Sequence, residues 1–248
     1  DWVVGKLLDK LDDLGIADNT IVVVSTDNGA EVMSWPDGGC TPFHGEKGTT
    51  WEGGMRVPCV VRWPGVIEPG TIVNEIMSHE DWMPTFLAAA GEPDVKEKLL
   101  KGAHKAAGKE FKNHLDGHNF TPFFKGEQEE GPRKAIFYFD DNANLNAVRI
   151  NHWKIHFQVQ EGNLQDSVLR PVNMPYVISL RQDPYERFMR ESKMYFRWWA
   201  DKLWTFVPAQ MAVGKFVESF EEFPPSQPSG SFGPAKALQQ LNSPGSGR

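Results

Sequence analysis

An α/β fold with a smaller α+β subdomain is predicted by three features of this 248-residue sequence. An amphipathic segment at residues 4–14 is followed by a turn and by the β-branched run of residues 21–24, an order typical of α/β proteins. Short strand-like segments separated by turn residues follow residue 134 and predict an antiparallel meander. The hydrophobic fraction of 40% is sufficient for a core and excludes a disordered chain or a coiled coil.

The first helix is predicted to end at Gly15, a residue suited to a helix C-terminus. The continuous β-branched run at 21–24 is typical of a strand buried on both faces of a parallel sheet. A glycine- and proline-rich segment at residues 30–55 predicts a long loop, and long loops in compact domains are usually functional. Further along, the patterns predict a strand at 57–63, a short strand at 71–76 and a helix at 80–90 that Ser78 begins and Gly91 ends.

The remaining segments are predicted to form the smaller subdomain and a tail. Strands are predicted at residues 135–139, 145–150, 153–160 and 176–180, and helices at 187–203 and 210–220. The resulting division is residues 1–134, 135–223 and an extended or disordered tail at 224–248, which is rich in Pro, Ser and Gly.

Charge and apolar patterning exclude some classes of partner. A formal net charge of −7 argues against a nucleic-acid partner, because such proteins usually carry a basic face. No stretch approaches the ~18 consecutive apolar residues of a membrane helix. The two cysteines, Cys40 and Cys59, form no disulfide framework and leave the compartment undecided.

Asp27-Asn28-Gly29 lies at the C-terminal end of the first predicted strand. Ligands of open α/β sheets bind beyond the carboxyl ends of the strands. A carboxylate and an amide oxygen side by side are hard donors that suit Ca²⁺ or Mg²⁺. The same three residues are also good turn formers, so from them alone an ordinary turn is the favoured interpretation.

A second motif runs from His44 to Pro58 and reads H-G-E-K-G-T-T-W-E-G-G-M-R-V-P. Its glycines permit close backbone approach to a ligand, and Lys47 offers a compact positive charge for an oxyanion. Glu52 and Arg56 are spaced to pair and to brace the loop. In isolation, a glycine-rich surface loop with solvated charges is the favoured alternative.

The order and spacing of these motifs together resemble the arylsulfatase family of the alkaline-phosphatase superfamily. The helix, the buried strand, S-T-D-N-G and G-E-K-G-T-T-W-E-G-G-M-R-V-P carry the resemblance. Three later segments match as well, and they are H-E-D-W-M-P-T-F at 79–86, L-D-G at 115–117 and L-R-Q-D-P-Y-E at 180–186. The resemblance covers residues 1–223 and implies the C-terminal part of an alkaline-phosphatase-like mixed sheet flanked by helices.

The resemblance implies hydrolysis of a small-molecule sulfate ester with a formylglycine nucleophile and one divalent metal, usually Ca²⁺ and alternatively Mg²⁺. Asp27 and Asn28 match metal ligands, and Lys47 matches the catalytic lysine that contacts the sulfate. We expect His44 to be a substrate-binding residue. A solvated position in the loop is an alternative that the sequence supports equally well. An asparagine at position 28 favours a single hard cation, because a dizinc phosphatase would use histidine there.

The sequence departs from the family pattern at the nucleophile. Cys40-Thr41-Pro42 begins like the formylglycine motif, but it lacks the following Ser and Arg and comes after the D-N-G segment. We therefore expect the nucleophile, further metal ligands and the leaving-group acid upstream of Asp1. The missing N-terminal half is then the partner of this chain, which alone is expected to be inactive. The family is often exported, so a periplasmic or secreted location is expected.

Two other functions remain open at this point. The parent is alternatively a phosphonate or phosphodiester hydrolase of the same superfamily, or the chain is an inactive remnant. Neither the particular ester nor the oligomeric state follows from the sequence. Among the other polar residues, His152 and His156 are expected on a strand surface, and Arg187, Arg190, Lys193 and Arg197 on a solvated helix face.

Overall fold

A computed structural model describes residues 1–32, 34, 39–163 and 165–224. The chain divides into two compact units. The first comprises Asp1–Asn28 and Val57–Ile136, and the second comprises the described residues of Gly29–Arg56 and those from Phe137 to residue 224. The predicted division into 1–134, 135–223 and 224–248 stays a prediction, and its tail from residue 225 lies outside the described residues.

Helix α1, Trp2–Asp13, opens the first unit and ends as predicted, with Gly15 in the left-handed region at φ +66°. Its apolar face is largely uncovered, because Trp2 is 75% exposed and Leu7 is 62% exposed. A short 3-10 turn at Ala17–Asn19 then leads into strand β1, Val22–Ser25.

Strand β1 pairs with β2, Cys59–Arg62, in an antiparallel two-stranded ladder from Val22 opposite Arg62 to Ser25 opposite Cys59. The predicted strands at 21–24 and 57–63 are confirmed in position. The prediction of a strand buried on both faces of a parallel sheet is wrong for the described residues. Among them no third strand flanks the ladder, and Val24 and Val60 stay exposed.

The helix predicted at 80–90 is confirmed: a 3-10 turn at His79–Asp81 leads into helix α3, Trp82–Ala89. The helix that precedes it in the chain, α2 at Glu52–Met55, is short and belongs to the second unit. Ser78 and Asp81 form a capping box at the start of the 3-10 turn, and Gly91 follows α3 at φ +95°. The strand predicted at 71–76 is wrong. That segment has no ladder partner in the described part of the chain, and Ile72 is 84% exposed.

The rest of the first unit holds short elements and a buried arginine. The elements are α4 at Val95–Leu100, the hairpin of β3 at His104–Ala106 with β4 at Lys109–Phe111, and α5 at Thr121–Phe124. Arg133 is buried and donates to both carboxylate oxygens of Asp81 at 2.7 Å, and its Nη2 also donates to the Asp116 carbonyl at 3.1 Å. The arginine thus ties the start of α3 to the L-D-G segment.

The second unit is built on a four-stranded sheet with the order β5-β6-β7-β8. The strands are β5 at Ala135–Phe139, β6 at Leu145–Ile150, β7 at Trp153–Glu161 and β8 at Val168–Ser179. The ladders β6–β7 and β7–β8 are antiparallel, so the predicted meander is confirmed, with β8 longer than expected. Helix α8, Phe206–Glu222, covers one face of this sheet, where Val148, Ile155 and Ala209 form a buried cluster.

The single helix predicted at 187–203 is wrong, because the segment breaks into α6, Phe188–Glu191, and α7, Tyr195–Ala200. Ser192 takes an extended conformation between them. The break lets α7 bond to the backbone of β8, where Tyr195 Oη donates to the Val177 carbonyl at 3.1 Å and Trp199 Nε1 donates to Pro175 at 2.9 Å. No helix within the described ranges is long and apolar enough to span a membrane.

Candidate functional site

Asp27 and Asn28 lie in the first unit, in a bend that directly follows β1. The Asp27 side chain is exposed, and its Oδ1 accepts a hydrogen bond from Asn28 N at 3.1 Å. His79 Nε2 donates to the carbonyl of Thr26 at 2.8 Å, which anchors the residue before the pair. The segment is therefore a turn with an exposed carboxylate next to an asparagine, close to the end of a strand.

The chemistry of this donor pair fits a hard cation only in part. Ca²⁺ takes about six to eight oxygen ligands, so Asp27 and Asn28 supply a minority of them. Among the described residues, no group of three or more His, Cys, Asp or Glu side chains is arranged to hold a metal ion. The remaining ligands of any cation bound here have to come from elsewhere in the protein or from water.

His44 and Lys47 lie in the second unit, on a tight loop that runs into α2. Gly45 has φ +75°, and a Cβ on it would lie 2.4 Å from Thr49 Oγ1, so no larger residue fits. Lys47 N donates to the Ala30 carbonyl at 3.0 Å, and Gly53 N donates to the His44 carbonyl at 2.6 Å. The backbone on both sides of Lys47 is thus fixed by hydrogen bonds.

The Lys47 side chain is 36% exposed, and its Nζ lies 3.3 Å from Glu31 Oε2. Hydrogen bonds from Ser34 and Lys47 lower the pKa of Glu31, which keeps this carboxylate ionised. Lys47 therefore has a carboxylate partner in this structure, and the exposed part of its ammonium remains available to an anion.

His44 is half-buried, and its ring packs against Trp51 in a tilted arrangement with the centroids 4.4 Å apart. Burial and the charge of Arg190 lower the pKa of His44 below its usual value, so its imidazole is neutral near pH 7. The guanidinium of Arg190 lies 5.4 Å from the Trp51 ring and pairs with Glu161. Arg190 is 40% exposed, so it keeps the solvated position that the sequence predicted for it.

A buried charge network beneath the loop was not predicted. The pairing of Glu52 with Arg56 is confirmed at 3.3 Å between Oε2 and Nη2, but Glu52 is buried and has stronger partners. Tyr138 Oη donates to Glu52 Oε1 at 2.9 Å, and Lys154 Nζ lies 3.1 Å from the same oxygen. Lys154 is fully buried and also lies 2.9 Å from Glu186 Oε1. One lysine thus joins two buried carboxylates.

His156 belongs to this network, so its predicted place on a strand surface is wrong. The side chain is fully buried, and its ring packs against Trp51 with the centroids 4.5 Å apart. Its Nε2 donates to Glu186 Oε1 at 3.3 Å. Because the carboxylate of Glu186 accepts, Nε2 carries the proton. Burial raises the pKa of Glu186, but the charge of Lys154 and the His156 hydrogen bond outweigh it and lower the pKa to about 2.

The ionised carboxylate of Glu186 should contribute to the dependence of folding stability on pH below about pH 5. Glu186 has a pKa of about 2 in the folded protein against 4.5 as the reference value, so its contribution is complete above about pH 4.5 and is lost as the pH falls toward 2. Melting temperatures measured between about pH 5 and pH 2 should therefore fall less steeply for Glu186→Gln than for the wild type. Glu191→Gln removes an exposed carboxylate and should keep the wild-type slope. Parallel curves for all three proteins would contradict this assignment.

The comparison with known proteins gives one family. A family model described as "Sulfatase" matches residues 1–92. Human arylsulfatase A is 32% identical over 203 residues, which are 76% of this chain and 36% of that protein. Rat steryl-sulfatase is 35% identical over 162 residues, which are 63% of this chain and 25% of that protein.

Solved structures agree with the sequence matches. The crystal structure of the PsFucS1 sulfatase from Pseudoalteromonas sp. has a TM-score of 0.73 and 27% identity, covering 91% of this chain and 42% of that one. The structure of Ps i-CgsB in complex with k-i-k-neocarrahexaose shares the fold, with a TM-score of 0.62 and 24% identity. The chain spans about a third of the length of curated relatives such as arylsulfatase A.

Proposed function

Because this chain belongs to the sulfatase family, we propose that it forms part of a sulfuric ester hydrolase that acts on a small-molecule sulfate ester. The observation that carries the proposal is the Lys47 loop, residues 44–51, whose backbone is fixed on both sides of the lysine while the lysine side chain stays 36% exposed. A fixed cation next to a developing negative charge stabilises it without reorganisation.

In this proposal Asp27 and Asn28 hold a Ca²⁺ or Mg²⁺ ion through their side-chain oxygens. A bound divalent cation would polarise the sulfuryl oxygens. Lys47 contacts the sulfate and stabilises negative charge on the leaving oxygen. The ammonium changes partner for this purpose, from the Glu31 carboxylate at 3.3 Å to an oxygen of the ester.

We propose that His44 binds the substrate as a neutral imidazole. Its ring is held against Trp51 at 4.4 Å, which limits its rotation. A neutral imidazole offers one donor and one acceptor to an ester or a sugar hydroxyl. Because burial lowers its pKa, His44 adds no second positive charge beside Lys47 near neutral pH.

The rest of the active site is proposed to lie in an N-terminal half outside this sequence. It would supply a formylglycine nucleophile, further metal ligands and the leaving-group acid. It would also complete the mixed sheet and cover apolar side chains such as Trp2, Leu7 and Val60, which are 75%, 62% and 68% exposed. Export to the periplasm or the exterior is part of the same proposal.

The relatives support an organic sulfate ester as the class of substrate, without indicating which alcohol carries the sulfate. The matched proteins are named arylsulfatase A, steryl-sulfatase and N-acetylgalactosamine-6-sulfatase, so their alcohols range from aromatic to steroid and sugar. The shared feature is the sulfate group, which Lys47 and the cation site would recognise.

Asp27→Ala should abolish the metal-dependent part of the activity. We expect sulfate release from 4-nitrophenyl sulfate by the complete polypeptide to fall at least roughly 10³-fold, because a cation ligand and its stabilisation of charge are both removed. The measurement is initial rate against Ca²⁺ concentration, with Asp13→Ala, an exposed residue of α1, as the control. Wild-type activity and wild-type Ca²⁺ dependence in Asp27→Ala would overturn the metal assignment.

A further inference from the structure

We propose that Glu186 is a positioning residue that fixes the Lys47 loop through buried contacts with its backbone. The inference rests on the proposed function only in assigning Lys47 to the reacting sulfate. Glu186 lies 139 positions away in the sequence numbering from Lys47 and is fully buried. Its effect on Lys47 is indirect and passes through backbone atoms of residues 50–52.

Each carboxylate oxygen of Glu186 makes a separate contact. Oε2 accepts a hydrogen bond from the backbone N of Glu52 at 2.6 Å, at the first residue of α2. Oε1 lies 2.9 Å from Lys154 Nζ and 3.3 Å from His156 Nε2. The carboxylate thus joins the end of the Lys47 loop to strand β7.

Lys154 provides a second connection from Glu186 to the same loop. Its Nζ donates to the Thr50 carbonyl at 3.0 Å and lies 3.1 Å from Glu52 Oε1. Thr50 follows Lys47 by three positions. The turn between them is closed by Thr49, whose N and Oγ1 both donate to the Glu46 carbonyl, at 3.0 and 2.7 Å. A shift of Thr50 therefore moves the backbone that carries Lys47.

Two features indicate a role beyond ordinary packing. Glu186 has φ +53°, a left-handed conformation that costs free energy for a residue with a side chain. Ionised groups are also expensive to bury, and apolar residues of similar volume often fill such space at no cost in stability. The chain nevertheless keeps Glu186, Lys154 and Glu52 buried together, which places defined hydrogen-bond acceptors and donors under one functional loop.

The test is a kinetic double-mutant cycle between Glu186 and Lys47 in the complete polypeptide. The probes are aryl sulfates whose phenol leaving groups differ in pKa. We expect Glu186→Ala to lower kcat by roughly 10²-fold, the usual cost of a displacement of about 1 Å at a catalytic group. KM should change less than about threefold, because an interaction made in the transition state is lost.

The signature of positioning is coupling to Lys47. The rate of Glu186→Ala should depend more steeply on leaving-group pKa than the wild type does, as in Lys47→Ala. Adding Glu186→Ala to Lys47→Ala should lower kcat by less than about threefold further, since coupled residues are not additive. Glu186→Gln, which keeps an oxygen acceptor for Glu52 N, should recover part of the rate and keeps the test valid if the alanine variant misfolds. Glu191→Ala, an exposed glutamate in α6, should match the wild type.

Additive effects of the two substitutions, or an unchanged leaving-group dependence in Glu186→Ala, would overturn the positioning role while leaving the proposed function intact. Hydrogen–deuterium exchange of residues 46–55 provides a readout that needs no activity. Exchange there should rise at least roughly tenfold in Glu186→Ala and stay unchanged in Glu191→Ala. If the wild type releases no sulfate, the proposed function fails. Unchanged exchange in Glu186→Ala would then also overturn the proposal that Glu186 fixes the Lys47 loop.

Discussion

Arg133→Met should lower the free energy of unfolding by about 3–5 kcal/mol, the usual effect of breaking a buried ion pair from one side. Asp81 is fully buried, and both of its oxygens lie 2.7 Å from the guanidinium of Arg133. Methionine fills most of the space but leaves the carboxylate without its counter-charge. The same substitution also frees the Asp116 carbonyl that Arg133 Nη2 reaches at 3.1 Å.

Urea denaturation followed by tryptophan fluorescence measures this loss. Arg62→Met is the matched control, because the Arg62–Asp12 pair at 3.3 Å has side chains that are 36% and 61% exposed. Exposed pairs contribute at most about 1 kcal/mol, so this variant should stay near the wild type. Equal losses in the two variants would show that Arg133 does not hold the start of α3 in the way described.

Lys47→Ala should lower kcat for aryl sulfates by roughly 10²–10³-fold, the range found when one stabilising donor is removed from an active site. The loss should grow as the phenol leaving group becomes more basic, because Lys47 is assigned to the charge on that oxygen. Initial rates of sulfate release by the complete polypeptide measure both effects.

Lys105→Ala is the control for the loss of a lysine, since Lys105 pairs with Glu110 on the surface and is 76% exposed. It should retain wild-type kcat and KM. A Lys47→Ala variant with an unchanged kcat and a raised KM would show that Lys47 binds the substrate and the transition state equally, which would remove it from the catalytic step.

The antiparallel meander was predictable from the sequence because its signals are local. The strands predicted at 135–139 and 145–150 have the bounds that the structure gives to β5 and β6. Alternation of side chains and the turn residues between strands determine such elements within a few positions. The predicted strand at 71–76 failed because a strand needs a partner, and none among the described residues pairs with that segment.

The buried charge network could not be predicted from the same kind of pattern. Apolar and polar residues alternate in β7, where the apolar ones are Trp153, Ile155, Phe157 and Val159. This alternation predicts one buried apolar face and one solvent-exposed polar face. The polar face instead lies under the Lys47 loop, so that Lys154 and His156 are fully buried. Glu52, a partner of Lys154, lies 102 positions away from it in the sequence. Contacts at that separation leave no mark on local periodicity.

The sequence was sufficient to predict which residues form the candidate site, but not the contacts between them. The D-N-G and G-E-K-G motifs drew attention to Asp27, Asn28 and Lys47 through residue chemistry and a family resemblance. The contact of Lys47 with Glu31 at 3.3 Å, and the packing of His44 against Trp51, required the structure. Glu186 lay within the D-P-Y-E segment that resembles the family, yet nothing in the sequence indicated that its carboxylate binds the backbone of Glu52.

The most direct test of the central claim is a comparison of ester classes with the complete polypeptide in the presence of Ca²⁺. The measurement is kcat/KM for 4-nitrophenyl sulfate, 4-nitrophenyl phosphate, bis(4-nitrophenyl) phosphate and a phenylphosphonate ester, each for the wild type and for Lys47→Ala. We expect the wild type to hydrolyse the sulfate with the highest kcat/KM, and Lys47→Ala to remove this preference. Preferential hydrolysis of the phosphate diester or the phosphonate, with the sulfate spared, would contradict the proposed activity.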